Sequence, residues 1–313
     1  MPAERFAMGS VAAGILSAAL LGGLLAAALA GAKPAAAGSP ASKPAKPGLR
    51  VITYNIHAFD PVAATDDGRA RIADVRACGQ LLRRYAMELA LHRPDVVALQ
   101  EASPKKLVEQ LAAALKMHVA FFPGGWKNKG WPDGIAGAIL TRLPILEAAD
   151  RPGVAPYQEG RNLFSRHFGR VLIRAGGRKI AVYTAHLLPT YKNTTHVRLG
   201  EIRAVAAAAR ADRKARRSVI VLGDMNHRPS TPEYRAWIDA GFTDAFAAKG
   251  RGGPLTCSNT KLEERIDYVW TMGPVVDRLQ ACRVLREGAF RCHLADPTSW
   301  ALSDHLPVLA EFE

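Results

Sequence analysis

Val171 to Ala185 reads VLIRAGGRKIAVYTA, and the reading of this stretch decides the class of fold. Two apolar-rich runs flank Gly176-Gly177. A two-residue hairpin turn needs positive φ at its centre, which glycine adopts at no steric cost, so the stretch is read as two antiparallel strands. Working outward, further short β-rich runs recur: LRVITYN, DVVALQ, HVAFF, IAGAIL, SVIVLG, IDYVW and LPVLAEF. Helical patterns lie between some of them. One is read over Arg71–His92, with Ile72, Val75, Leu82, Tyr85 and Leu89 on one face, and others over 104–115, 195–213 and 231–240. The last opens STPE, a helix start with proline in the first turn. Helical crossovers together with a hairpin imply mixed sheets, so the expected class is an α/β sandwich.

Composition sets the frame. Of the 313 residues, 49% are hydrophobic and 22% charged, which suits a folded globular domain rather than a disordered chain. The formal net charge is +14; residues 1–48 hold Arg5, Lys33, Lys43 and Lys46 against Glu4, leaving +11 for the remainder. A surplus of that size suits an anionic partner, though arginine-rich composition alone would also produce it. Arg5 precedes a stretch from Phe6 to Ala32 without charge, ending in small residues suited to cleavage after Ala30 or Ala32. Residues 1–32 are therefore expected to be a signal peptide, or else an uncleaved signal anchor, which is the one membrane contact expected. Either places the rest outside the cytoplasm, periplasmic or extracellular. Residues 33–48 form a Pro/Ala/Lys linker, and 49–313 a single domain.

Four cysteines, Cys78, Cys257, Cys282 and Cys292, suit an oxidising compartment, and Cys282 with Cys292 are the pair closest in sequence. The absence of a CxxC spacing argues against a zinc site. Cys78, within a helical pattern, reads as a buried thiol.

Chemistry collects where polar residues interrupt strand ends. Asn55 ends LRVITYN, Glu101 follows DVVALQ, His186 follows KIAVYTA, and Asp224 and Asn226 follow SVIVLG. Asp267 sits inside IDYVW, and Asp304 and His305 precede the last strand. The last two strands must run antiparallel to the others if all these groups are to meet at one rim. Glu101, Asp304 and Asn55 are hard oxygen donors of the kind Mg2+ takes. A histidine held by a carboxylate is a suitable base, because the acid fixes its tautomer and stabilises the imidazolium. Each residue alone has an ordinary alternative as a turn former, cap or surface acid. Six such interruptions in this order make that reading a poor account of the whole.

The set YNIH, DVVALQE, TAHL, GDMN, RIDYVW and SDHLPV resembles the endonuclease/exonuclease/phosphatase superfamily, whose members include DNase I-like nucleases, apurinic-site endonucleases, inositol-phosphate phosphatases and neutral sphingomyelinases. The resemblance covers about Leu49 to Phe312. It implies a four-layer sandwich and a phosphoester hydrolase using Mg2+, with Mn2+ as a substitute. It also implies Glu101 as the main metal ligand, helped by Asn55 and Asp304. Asp267 then orients His305, His186 and Asn226 contact the scissile phosphate, and either Asp224 or His305 is the base. His57 stands where the apurinic endonucleases carry an aspartate, and the acid that would partner His186 is not identifiable.

Substrate is less legible. The loop GGWKNKGWPDG, 124–134, offers Trp126, Lys127 and Trp131 for stacking bases and holding phosphates, or for touching a membrane surface. The stretch GRNLFSRHFGR, 160–170, holds Arg161, Arg166, His167 and Arg170 before a strand, with Arg166 and Arg170 as further candidates for substrate phosphate. The basic run 210–217 reads as a solvated helix end. The expected activity is a phosphodiesterase with nucleic acid preferred. Phospholipid or sphingomyelin hydrolysis and phosphomonoester hydrolysis are the alternatives, as is a non-catalytic basic binding module. No protein partner can be inferred.

Overall fold

The hairpin forms as read. In the computed structural model Ala175 pairs with Arg178 across Gly176 and Gly177, whose φ angles are +54° and +78°. The structure describes residues 48–129, 131–155, 163–190 and 193–313, all within one unit, Lys46–Glu313. The expected signal segment 1–32, linker residues 33–47 and Arg161 lie outside the described residues.

In chain order the strands are β1 Leu49–Asn55, β2 Val62–Ala63, β3 Val96–Gln100, β4 His118–Phe122, β5 Gly137–Thr141, β6 Ile145–Asp150, β7 Phe168–Ala175 and β8 Arg178–His186. They continue as β9 Ser218–Asp224, β10 Thr243–Asp244, β11 Gly250–Arg251, β12 Asp267–Met272, β13 Leu279–Val284, β14 Trp300–Ala301 and β15 Val308–Phe312. The helices are α1 Asp66–Ala77, α2 Leu81–Leu91, α3 Lys105–Leu115, α4 Thr195–Lys214, α5 Pro232–Asp239 and α6 Ala245–Lys249. One sheet has the order β11-β13-β15-β1-β3-β5-β4 and the other β10-β12-β9-β8-β7-β6, with β14-β2 as a small separate pair. Both large sheets are mixed. β1 and β3 are parallel, as are β8 and β9, whereas β15 runs antiparallel to β1 and β12 antiparallel to β9. The antiparallel requirement on the last two motif strands is met.

Two apolar layers hold this together. Between the sheets, Val51, Val97, Ile139, Val171, Val182, Ile220, Leu222, Val269 and Leu309 are buried, continuous with Leu89 of α2 and Leu111 of α3. Outside the second sheet, Leu172, Tyr183, Val219, Val221 and Trp270 pack against Val205 and Ala209 of α4 and Trp237 of α5. Alternation along each strand sends one set of side chains to each layer. Thr231 caps α5, its Oγ1 accepting from Tyr234 N–H, with Pro232 in the first turn.

Two expectations about local structure are corrected. The pattern over 71–92 is two helices, because Gly79 takes φ +64° and ends the first at Cys78. That leaves Cys78 exposed rather than buried. Cys282 and Cys292 do not pair; all four thiols are free, Cys282 lying in the core and Cys292 Sγ contacting Ser299 O at 3.5 Å.

Candidate active site

Strand register assembles the first half of the site. In the second sheet His186 is the direct partner of Asp224 across parallel β8 and β9, and Asp267 is the direct partner of Asp224 across antiparallel β9 and β12. Three polar side chains therefore stand abreast at one rim. Gly223, beside them, is dictated by close approach: a Cβ there would lie 1.9 Å from Ala185 O. In the first sheet Asn55 and Gln100 are partners at the same end of β1 and β3. Glu101 and Asn226 follow their strands with φ of +52° and +48°. Left-handed backbone at non-glycine residues is uncommon, and its presence at both marks where the chain turns a side chain into the site.

The polar contacts join these halves. His305 Nδ1 lies 2.9 Å from Asp267 Oδ2, and its Nε2 faces Asp224 Oδ2 at 3.8 Å. His186 Nε2 approaches the same Asp224 oxygen at 3.4 Å, which supplies the acid partner that sequence left unassigned. Asn55 Nδ2 donates to Asp224 Oδ2 at 3.1 Å, and Asn226 N–H donates to Asp224 Oδ1 at 3.0 Å. Asn226 Nδ2 donates to Leu187 O. Ser303 Oγ lies 2.7 Å from Asn55 O and 3.3 Å from Asp304 Oδ1, and accepts the His305 N–H, binding the last motif to the first strand. His57 N–H donates to Asn55 Oδ1 and so fixes that amide.

Burial dominates the electrostatics. It pushes the Glu101 carboxyl above its ordinary range, with Asp304 adding to the shift and His305 and His57 opposing it. Burial, with Asp267 adding, pushes Asp224 up to about 7, against relief from His305. Burial alone would depress His305, but the Asp267 carboxylate overrides it and holds the imidazolium well above its usual range. His186 is depressed by burial, with Arg166, His167 and His305 adding to the shift, and so stays neutral. Asp267 Oδ1 and His186 Nδ1 are buried without a hydrogen-bond partner.

Two donor sets could receive a cation. Oxygens of Asp224 and Asp267 and a ring nitrogen of His305 lie within 4.8 Å of one another. That group is already partly neutralised internally, since imidazolium faces both acids. The second set is Glu101, whose carboxyl feels the like charge of Asp304, beside the Asn55 amide. This second set is all oxygen, the donor chemistry a hard divalent ion takes.

Asn226, His305 and Cys257 line a cleft of about 720 Å3 that also includes Thr190, Arg228 and Glu264. Cys257 was missed by sequence reasoning; its Sγ lies 3.7 Å from His305 Nε2. Thr256 was missed too, and its Oγ1 accepts from Asp267 N–H at 3.3 Å. Neither has a local signal, because both depend on a loop folding back onto β12. Among the substrate candidates, Gly125 and Trp126 N–H groups donate to Arg166 O and Ser165 O, and His186 N–H donates to His167 O. This seats the tryptophan loop beside the rim, with Trp126 44% exposed, Lys127 exposed and Trp131 half-buried. Arg166 is half-buried and acts electrostatically on His186. Arg170 is a correction. Its guanidinium is 9% exposed and forks onto both oxygens of Asp212 at 2.8 Å, with Glu147 at 3.1 Å, so it is a structural cation and has no free face for substrate.

A profile of the endonuclease/exonuclease/phosphatase family matches residues 52–305. No curated protein sequence matches significantly. Among solved structures, a family protein from Leptotrichia buccalis superposes with a TM-score of 0.61 at 16% identity, over 85% of this chain and 99% of that one. A mannosyl-6-phosphatase from Bacteroides thetaiotaomicron gives 0.64 at 19% identity, over 85% and 99%. D. rerio TDP2, complexed with a single-strand DNA product, gives 0.59 at 20% identity, over 85% and 98%. At these identities the likeness is one of fold.

Proposed function

The chain belongs to the endonuclease/exonuclease/phosphatase family, a family of metal-dependent phosphoester hydrolases, and from that premise we propose that it is an exported, Mg2+-dependent phosphodiesterase acting on nucleic acid. The observation that carries the reading is the row His186, Asp224 and Asp267, closed by His305 on Asp267 and faced by Glu101, Asn55 and Asp304.

Glu101, Asn55 and Asp304 are the residues to hold the ion. A bound Mg2+ supplies Lewis-acid neutralisation of phosphoryl oxygens. Asp224, raised to about 7, has the basicity to take a proton from the attacking water near neutral pH. His305, kept cationic by Asp267, opposes the negative charge that develops on the phosphoryl group. Neutral His186 and the Asn226 amide are hydrogen-bonding groups for a non-bridging oxygen. The net charge of +11 beyond residue 48 and the Trp126–Lys127–Trp131 loop support a polyanionic, base-bearing substrate. The D. rerio relative in complex with a DNA product points the same way. Arg5 and the uncharged run Phe6–Ala32 support export.

Plasmid, single-stranded DNA, RNA, sphingomyelin, a sugar phosphate and a chromogenic diester, each assayed with Mg2+ or EDTA, test the reading. EDTA-sensitive nucleic acid cleavage, lost in Glu101→Ala and His305→Ala, is expected. Turnover confined to lipid or to a phosphomonoester would refute the substrate class. Binding without turnover on any substrate would refute the enzyme. Cell fractionation tests export; a cytosolic product retaining Met1 would refute it.

A further inference from the structure

A second cationic concavity lies outside the catalytic cluster. Arg71 of α1, Arg83 and Arg84 of α2, and Arg291 and His293 of the segment before β14 line one cavity of about 630 Å3, with Asp296 as its single carboxylate. We infer that this groove is a second phosphate-binding site, holding backbone phosphates of a nucleic-acid strand whose scissile phosphate is at Asp224 and His305. The inference rests on the nucleic-acid reading above.

The charge in the groove is largely uncompensated. Arg84 pairs with Glu88 at 3.0 Å, and Asp296 Oδ1 already accepts from Thr298 N–H and Oγ1–H. The side chains of Arg71, Arg83 and Arg291 make no ion pair or hydrogen bond among the described residues. The Arg291 charge adds to burial in depressing Arg286. Elsewhere the fold treats arginine differently: Arg170, Arg198 and Arg265 are each buried on a carboxylate. Guanidinium groups left unpaired in a concavity match phosphodiester oxygens, which they engage with paired N–H donors.

The groove is also preformed and well placed. Cys292 N–H donates to Asn259 Oδ1, and His293 N–H to Ser299 Oγ, so the segment carrying Arg291 and His293 is pinned. Trp300 forms part of the wall, half-buried and packed against the core. Trp300 opens β14, and Ser303, Asp304 and His305 follow within five residues. On the other wall, Tyr85 of α2 donates to Leu302 O. The groove therefore adjoins the flank that carries Asn55 and Asp304. An anionic bilayer is the competing partner, since Leu91 and Leu294 nearby are 73% and 60% exposed. A concave wall of arginines favours a strand that enters it over a flat lipid surface.

The test measures binding of a fluorescent 40-nucleotide DNA strand to full-length protein carrying Glu101→Gln, so that no cleavage intervenes. Adding Arg71→Ala, Arg83→Ala and Arg291→Ala is expected to lower the slope of log affinity against log salt by about 2, at about 0.7 per phosphate neutralised. Affinity at 0.1 M salt falls roughly 10- to 100-fold on the same basis. Matching thermal midpoints confirm that the variant folds. A charge-matched control, Arg174→Ala, Arg178→Ala and Lys179→Ala on the exposed β7–β8 hairpin, is expected to change the slope by much less. An unchanged slope in the groove variant, or an equal change in the control, overturns the proposal. So does a loss seen only on vesicles of phosphatidylcholine with phosphatidylglycerol and abolished by Leu91→Ser with Leu294→Ser. Cleavage of the strand by the parent protein is read separately: arginine-dependent binding without cleavage keeps the groove and sinks the nuclease reading.

Discussion

Two buried polar clusters lie in the same sheet and are built on opposite principles. Around Arg170, each charge has its counter-charge: Asp212 takes Arg170 and Arg217, Glu147 takes both arginines, and the Tyr183 hydroxyl donates to Asp212. Although burial opposes it, this company keeps Asp212 below its ordinary carboxylate range. Around Asp224, two carboxylates, its own and that of Asp267, and the imidazoles of His186 and His305 crowd one rim; Asp224 is pushed up to about 7, and Asp267 and His186 each keep an orphaned atom. One cluster is satisfied and so can only hold the fold together. The other is left short of partners, which is what a site for a cation and a phosphate requires, at a cost to stability carried by the packed sheets beneath it.

The sharpest break of this contrast is Asp224→Asn. Hydrolysis should fall about 10²–10⁴-fold, the scale of a lost general base. The thermal midpoint at pH 8 without metal should hold or rise, because Asp224, with its folded pKa raised, loses stability as pH rises towards 7 and the amide does not. Activity within a few fold of the parent would remove Asp224 from the reaction. The mirror experiment is Arg170→Met. Leaving Asp212 buried without its bidentate partner should cost about 3–5 kcal/mol in denaturant unfolding, with hydrolysis per folded molecule unchanged. A specific loss of turnover would return Arg170 to the substrate side.

Glu201 of α4 tests the ground between the two clusters. It accepts from Phe164 N–H at 3.0 Å and Leu188 N–H at 2.9 Å, yet burial pushes it up to about 7. Between pH 4.5 and 7 the folded chain holds a proton that the unfolded chain has released. Its contribution is therefore full below pH 4.5 and lost as pH rises to 7, up to about 3 kcal/mol. Glu201→Gln should flatten that part of the stability profile; an unaltered profile would show that the carboxyl titrates normally. The smallest effect expected is from Mg2+ itself. At about 100 times its Kd it should stabilise the protein by about 2.7 kcal/mol, measured as a shift in thermal midpoint. Glu101→Gln should abolish the shift and Arg170→Met should leave it intact.

Much of this was legible in the chain. Gly176-Gly177 announced the hairpin, and Asn55, Glu101, His186, Asp224, Asp267 and His305 stood out only as a set, because separate turn, cap and surface roles account poorly for so many polar interruptions of apolar strands. The misreadings have physical reasons as well. Gly79 outweighed an amphipathic period that continued on both sides of it. Arg170 resembled Arg166 in sequence, but alternation along β7 turns it to the outer layer, against α4.

By itself the sequence determined which residues can do chemistry and which end of each strand they occupy, since periodicity and turn residues are local properties. Only the tertiary structure decided the partnerships. Asp267 meets His305 across 38 residues and Asn55 meets Asp224 across 169, through sheet register and sheet-on-sheet packing. The same long-range packing neutralises Arg170 and leaves Arg71, Arg83 and Arg291 bare in one groove. Whether a charge is satisfied depends on what the fold brings to it, and no spacing along the chain encodes that.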